Sequence, residues 1–243
     1  MADRTLRIPA RFNGPPDSAN GGYTCGLVAG AMGVDAAEVT LRLPPPLERD
    51  LRVESSGSRV SVYDGDALVA EGRPTIAAVQ LLEPVDPAQA AEVARASRER
   101  WAAAHPFPTC VVCGPDRAAG DGFGLTPGPF GGEGTFVCDW TPDASLAGAD
   151  GVVSPEYVWA ALDCPTSAPV ATFGEGPPIV LARLTASLER PVRAGEQHAI
   201  VSWALARDGR KRRAGAALFD GAGQVLACSR ALWIELAPDP GAP

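Results

Sequence analysis

Cys110 and Cys113 are separated by two residues, a spacing at which two thiolates reach one metal ion or close a redox pair. A structural zinc site needs four ligands, however, and no second Cys-x-x-Cys exists. His105 offers a third ligand and Cys138 a fourth, but the expectation is packed or turn-forming cysteines with no metal. No thioredoxin-like βαβ pattern surrounds the pair, which argues against redox chemistry. Asn20-Gly21-Gly22 stands at the start of an apolar run. Unpaired amides at a helix N-terminus attract negative charge, and glycine lets a ligand approach the backbone closely. Tight packing of the helix on a sheet explains the two glycines equally well. Asn20 is suited to bond a carbonyl or a water, yet its commoner role is the helix cap. Asp163 closes a second apolar helix, where a carboxylate opposes the helix dipole, and this favours a functional reason for it. The plainer alternative is a carboxylate held by turn amides at Cys164–Thr166. Glu156 fits a first-turn partner of the dipole better than a second acid.

Other chemistries fit poorly. His105 and His198 are the only histidines, one before a proline and one in a strand pattern, and no Gly-x-Ser-x-Gly elbow is present. The glycine-rich stretches within residues 122–134 lack the strand–helix setting of a nucleotide loop.

The elements that must carry these residues repeat along the chain. In the first half, turn residues 15–20 lead into Gly21 to Met32, small and apolar enough for a helix buried on all sides. In the second half, Ser154-Pro155-Glu156 is a strong helix start before Tyr157 to Asp163, and Cys164-Pro165 ends that helix. Strand patterns follow each helix, at residues 39–43 and 50–54 and at 181–188 and 198–203. A hairpin then recurs: Val62-Tyr63-Asp64-Gly65 matches Leu218-Phe219-Asp220-Gly221, and each leads into a strand with alanine at its end. Between the halves, residues 87–104 read as an exposed amphipathic helix and 105–134 as Pro/Gly-rich loop. Strand 135–140 opens the second unit.

The chain has 243 residues, long enough for a substantial core, with 46% hydrophobic and 21% charged residues. A net charge of −8 argues against nucleic-acid binding. The basic cluster Arg210 to Arg213 reads first as a hairpin turn and strand start, and second as a contact for a phosphate-bearing molecule such as coenzyme A. No apolar run approaches the roughly 18 residues of a membrane span. The N-terminus lacks a secretion signal, so a cytoplasmic protein with reduced cysteines is expected.

One helix followed by a curved antiparallel sheet, twice over, resembles the hot-dog superfamily. Asn20-Gly21-Gly22-Tyr23 is similar to the start of the central helix in its acyl-CoA thioesterases. Residues 188–236 resemble their terminal strands, and Cys110-Val111-Val112-Cys113-Gly114-Pro115 resembles a lead-in found before some of these domains. The resemblance implies an α+β double hot dog: two central helices, each wrapped by a curved antiparallel sheet, the sheets joined into one. Residues 1–85 would form one unit, 86–133 a helical linker and loop, and 134–243 the other.

It also implies hydrolysis of an acyl-CoA or other acyl thioester, with no cofactor, no nucleic acid and no membrane. Family members pair either in tandem or as homodimers, and the sequence leaves dimerisation open. By resemblance Asp163 is general base or nucleophile, while the first half carries Ala29 at the matching position. Asp163 lies about 13–14 Å from its own helix start, too far to serve a carbonyl bound there. A composite site is therefore expected, with Gly22, Asn20 and neighbouring amides from one half and Asp163 from the other. The mirror site, with Pro155-Glu156 facing Ala29, would be inactive. Gly21, Tyr23, Tyr157 and Trp159 are the expected substrate-binding residues. The rival reading is a non-catalytic binder of acyl or aromatic ligands.

Overall fold

In the computed structural model, which describes residues 4–76, 78–103, 105–132, 134–171 and 176–237, helix α1 spans Gly21–Met32. The side chain of Asn20 caps it by accepting from the Tyr23 amide at 2.8 Å. Most of its residues are buried, so packing rather than its glycine-rich composition holds it helical. Met1 to Asp3, Ala104 and Glu133, on which parts of the N-terminal, linker-helix and loop readings fall, lie outside the described residues.

The strands are β1 (Arg4–Arg7), β2 (Ala36–Leu41), β3 (Asp50–Ser56), β4 (Arg59–Asp64), β5 (Ala67–Pro74), β6 (Gly128–Pro129), β7 (Thr135–Trp140), β8 (Ile179–Leu188), β9 (His198–Asp208), β10 (Lys211–Phe219) and β11 (Val225–Glu235). They form one sheet of 11 strands in the order β1-β3-β4-β5-β2-β8-β11-β10-β9-β7-β6. Every named pairing is antiparallel. From the β2–β8 seam, where Val39 pairs Leu184, one side runs β5, β4, β3, β1 and the other β11, β10, β9, β7.

Among the described residues, helix α2 (Pro87–Ala103) and helix α3 (Pro155–Ala161) complete the regular structure, apart from short 3-10 turns. α3 starts at Ser154 with proline in its first turn, as the sequence predicts. It ends sooner than expected: Leu162 caps it, and Asp163 opens a 3-10 turn over Cys164–Ser167.

α1 and α3 lie against each other at glycines. A Cβ added to Gly26 would come within 2.5 Å of the Glu156 Cα, so only hydrogen fits there. This contact places Glu156 beside Gly26, a turn before the Ala29 it was expected to face. The principal core lies around the two helices, with Val28, Trp159, Leu162, Leu184 and Ile200 almost fully enclosed.

α2 is less exposed than its composition suggests. Ala90, Ala94 and Trp101 are buried at helical spacing, and Ala90 joins a second apolar cluster with Val137, Val201, Trp203 and Phe219.

The two Asp-Gly hairpins form with different turns. Gly65 takes the positive φ between β4 and β5, but between β10 and β11 the left-handed residue is Gly223. There Asp220 Oδ1 accepts from the amides of Ala222 and Gln224, at 2.9 and 2.8 Å.

Residues 105–127 carry no regular element, yet Val111, Val112 and Leu125 are buried in the principal core. Backbone bonds hold the segment in place: Val111 N–H donates to Asn13 O at 2.9 Å, and Phe123 N–H to Val111 O at 2.8 Å. A Cβ on Gly114 would stand 2.5 Å from the Cys110 nitrogen, so the turn after the second cysteine closes only with glycine. The loop is thereby fixed with its cysteines facing inward.

Candidate active site

The start of α1 and the end of α3 meet at Asp163. Its Oδ2 accepts from the Gly22 amide at 2.8 Å and from Asn20 Nδ2 at 3.1 Å. Asn20 thus has two tasks, capping α1 through Oδ1 and donating to Asp163 through Nδ2. Asp163 makes no side-chain cap to its own turn. Thr166 bonds the Asp163 carbonyl instead, through its amide at 2.9 Å and its hydroxyl at 2.6 Å.

Asp163 is only 1% exposed, and its Oδ1 has no hydrogen-bond partner. Burial pushes its carboxyl up to about 7. The Gly22 amide opposes the rise, the Cys110 sulfur adds to it, and Asn20 opposes it again.

Packing is as close as the hydrogen bonding. A Cβ at Gly22 would stand 2.4 Å from Asp163 Cβ and 2.7 Å from the Trp159 carbonyl. Gly22 is therefore required by helix-to-helix contact, whereas a Cβ on Gly21 would strike Leu181 of β8 at 2.8 Å. The Gly22 amide, expected to serve an oxyanion, is occupied by Asp163 itself.

Beside this contact opens a cavity of ≈ 550 Å3. Asn20, Gly21, Asp163 and Cys164 border it, together with the apolar side chains of Leu41, Leu181 and Trp233, from β2, β8 and β11. Among the described residues, its lining does not include Tyr23, Tyr157 or Trp159. Tyr23 stacks on Phe12 with centroids 4.2 Å apart and meets Tyr157 at 5.7 Å, while Trp159 is enclosed in the core. Tyr23 and Tyr157 pack beside Phe12, and Trp159 packs in the core, so none of the three borders this cavity. Trp233, from β11, borders the cavity and donates through Nε1 to Thr166 Oγ1 at 2.8 Å. Nothing local in the sequence marks Trp233, which reaches the wall through its strand's pairing with β8.

Cys110, Cys113 and Cys164 also border the cavity, with their sulfurs all within 4.8 Å of one another. Hydrogen bonds from the Cys113 and Cys164 thiols hold Cys110 well below the usual thiol range, and its partners lie well above it. Backbone amides of Val112 and Cys113 also favour the Cys110 thiolate. Cys138 is elsewhere, on β7 opposite Ile200. Cys164 escaped the sequence reading because it has no motif spacing; its position next to Asp163 was the available signal.

The basic cluster forms the start of β10 after the Gly209 turn, as its first reading expects. Arg212 is buried there, paired with Glu235 and donating to the Gly209 carbonyl at 2.8 Å.

The chain has the hot-dog fold. Over 96% of its length it superposes on 91% of the tesB protein of Mycobacterium avium subsp. paratuberculosis, at a TM-score of 0.64 and 11% identity. A conserved hot-dog protein of Alicyclobacillus acidocaldarius matches at 0.62 and 11% identity, covering 97% of this chain and 93% of that one. A protein of Novosphingobium aromaticivorans provisionally named a thioesterase matches at 0.58 and 13% identity, covering 96% and 95%. No family model matches the chain, and no curated protein matches it in sequence.

Proposed function

We propose that the protein is a tandem double hot dog that hydrolyses an acyl thioester, such as an acyl-CoA, at one composite site between its halves. In this reading residues 1–85 and 134–243 are the two units, 86–133 join them, and the protein works in the cytoplasm, where its thiols stay reduced. The matching strand orders on either side of the β2–β8 seam support the tandem arrangement. The observation that carries the activity is the buried Asp163 carboxylate, set against the first turn of the opposite helix and bordering an apolar cavity.

The acyl chain would occupy the cavity beside Leu41, Leu181 and Trp233. Asp163 would take a proton from a water attacking the acyl carbon; the carbon–sulfur bond would then break, and the leaving thiolate would take that proton back from Asp163 and depart as the thiol, leaving the free acid. Asn20 and the Gly22 amide hold the carboxylate in place. With Gly22 engaged, Gly21 is the first-turn residue bordering the cavity, and we assign its amide to the acyl oxygen.

A second reading is favoured by one observation: Asp163 is nearly sealed from solvent, with both neighbouring donors satisfied. A carboxylate so held suits a protein that binds an acyl or aromatic ligand without turning it over.

Thiol release from short, medium and aryl acyl-CoA thioesters, measured for the wild type and Asp163→Asn, separates the two readings. Release by the wild type that the substitution abolishes supports hydrolysis. Saturable binding with no release by the folded wild type supports the binder. Full activity in Asp163→Asn removes Asp163 from the mechanism.

A further inference from the structure

We propose that Cys110, Cys113 and Cys164 bind a zinc ion, completed to a tetrahedron by a turn of the His105 ring, and that the ion clamps the interhelical loop to the turn carrying Asp163. Three of the four are drawn from the long loop between the halves, and Cys164 comes from the segment after α3. The three sulfurs lie within 4.8 Å of one another, and Cys110 Sγ and Cys164 Sγ are 3.7 Å apart. A tetrahedral zinc with Zn–S bonds of about 2.3 Å sets its sulfurs about 3.8 Å apart. His105 Nε2 lies 3.3 Å from Cys113 Sγ but stands outside the group whose ligand atoms all lie within 4.8 Å of one another, so its ring would have to turn inward to complete the set.

His105 Nδ1 accepts the Phe107 amide at 3.1 Å, and Nε2 faces Cys113 Sγ. With Nδ1 accepting, the free neutral ring carries its proton on Nε2; binding a metal there would require Nδ1 to become the donor or the Phe107 bond to loosen. Asn20 Nδ2 stands 3.9 Å from Cys110 Sγ and 3.7 Å from Cys164 Sγ, so an N–H group faces two of the proposed thiolates. N–H donors around zinc-bound thiolates disperse their charge and orient them. The Gly114 amide closes the Cys-x-x-Cys turn by donating to the Cys110 carbonyl at 2.8 Å.

Three thiolates make a poor Lewis acid of zinc, and a fourth protein ligand leaves no place for water. The ion is therefore structural. It would join residues 105–113 to Cys164, the neighbour of Asp163, and so fix Asp163 against the cap of α1. This assignment is independent of whether the protein hydrolyses thioesters.

Metal content decides it. The full chain, expressed with zinc in the medium and purified under reductant, should hold about one zinc per chain. Replacement by Co2+ should give sulfur-to-cobalt charge-transfer bands and the visible bands of tetrahedral cobalt. Cys110→Ser, Cys113→Ser and Cys164→Ser should each lower zinc retention by roughly tenfold or more, as loss of a ligand does. His105→Ala should retain the charge-transfer bands while shifting the visible ones. Cys138→Ser, buried away from the group, should keep its zinc. A wild type that takes up neither metal, or that carries a Cys110–Cys113 disulfide in their place, overturns the proposal. Zinc loss in Cys138→Ser equal to that in Cys113→Ser overturns the ligand set. The wild-type metal measurements decide the matter even if a cysteine variant fails to fold.

Discussion

Asn20 and Asp163 are separated by 143 positions in the chain and joined by a 3.1 Å hydrogen bond. The bond links the cap of α1 to the turn after α3, so the order of the candidate site and the packing of the two helices depend on the same side chains. Changes here should affect stability and chemistry in separable ways.

Asp163→Asn keeps an oxygen for the Gly22 and Asn20 donors but cannot take a proton from water. If Asp163 is the base, thiol release should fall by about 10²–10⁴-fold, with little change in the urea midpoint. Asp163→Ala leaves two buried donors without their acceptor and should cost about 2–5 kcal/mol in urea unfolding.

Glycines in the same helix should respond in opposite directions. Gly22→Ala drives a methyl into Asp163 and the Trp159 carbonyl and should destabilise by about 1–3 kcal/mol or more. Gly30→Ala meets nothing within 4 Å and should stabilise by about 0.5–1 kcal/mol. Urea unfolding of the two variants beside the wild type checks both signs.

At position 20 the order of substitutions matters more than any single value. Asn20→Ser keeps an oxygen able to cap α1 and loses the donor to Asp163, costing about 1–3 kcal/mol. Asn20→Asp keeps the cap but sets a second carboxylate against Asp163 in a buried place, and should be the more destabilising. Thermal midpoints of the two variants at neutral pH test the ranking.

His198 should make stability depend on pH. It is 1% exposed, its Nε2 lies 3.3 Å from the Arg193 carbonyl, and its Nδ1 has no partner. Burial depresses its pKa, only partly opposed by the Arg193 carbonyl, Glu196 and Asp220. The unfolded chain then binds more protons in the window between the depressed folded value and the ordinary value of about 6.5. The contribution is complete above that ordinary value and is lost as pH falls toward the folded one. Urea midpoints taken from about pH 8 to about pH 5 should fall more steeply for the wild type than for His198→Gln. His105 is common to both proteins, so the difference isolates His198.

Local signals in the sequence were enough to locate several elements. Asn20 before a small apolar run placed α1, and Ser154-Pro155-Glu156 placed the start of α3, because caps and first-turn proline act within a few residues. β1 escaped notice, since Arg4–Arg7 is a short edge strand, mostly exposed, with no apolar alternation to reveal it. Residues 105–127 read as loop and are loop, but composition gave no sign that Val111, Val112 and Leu125 would enter the core.

The sequence by itself determined which residue types were available: a carboxylate after the second helix, two glycines at the start of the first, and a cysteine pair in the loop between. Only the tertiary structure decided their partners. It brought the Gly22 amide to Asp163, placed Cys164 beside Cys110 and left Cys138 apart, and turned Tyr23 toward Phe12 rather than the cavity. Caps and turns depend on neighbours in the chain and can be read from it. These contacts depend instead on how closely α1 approaches α3 and how the strands meet at the β2–β8 seam, and packing across the whole molecule sets those distances.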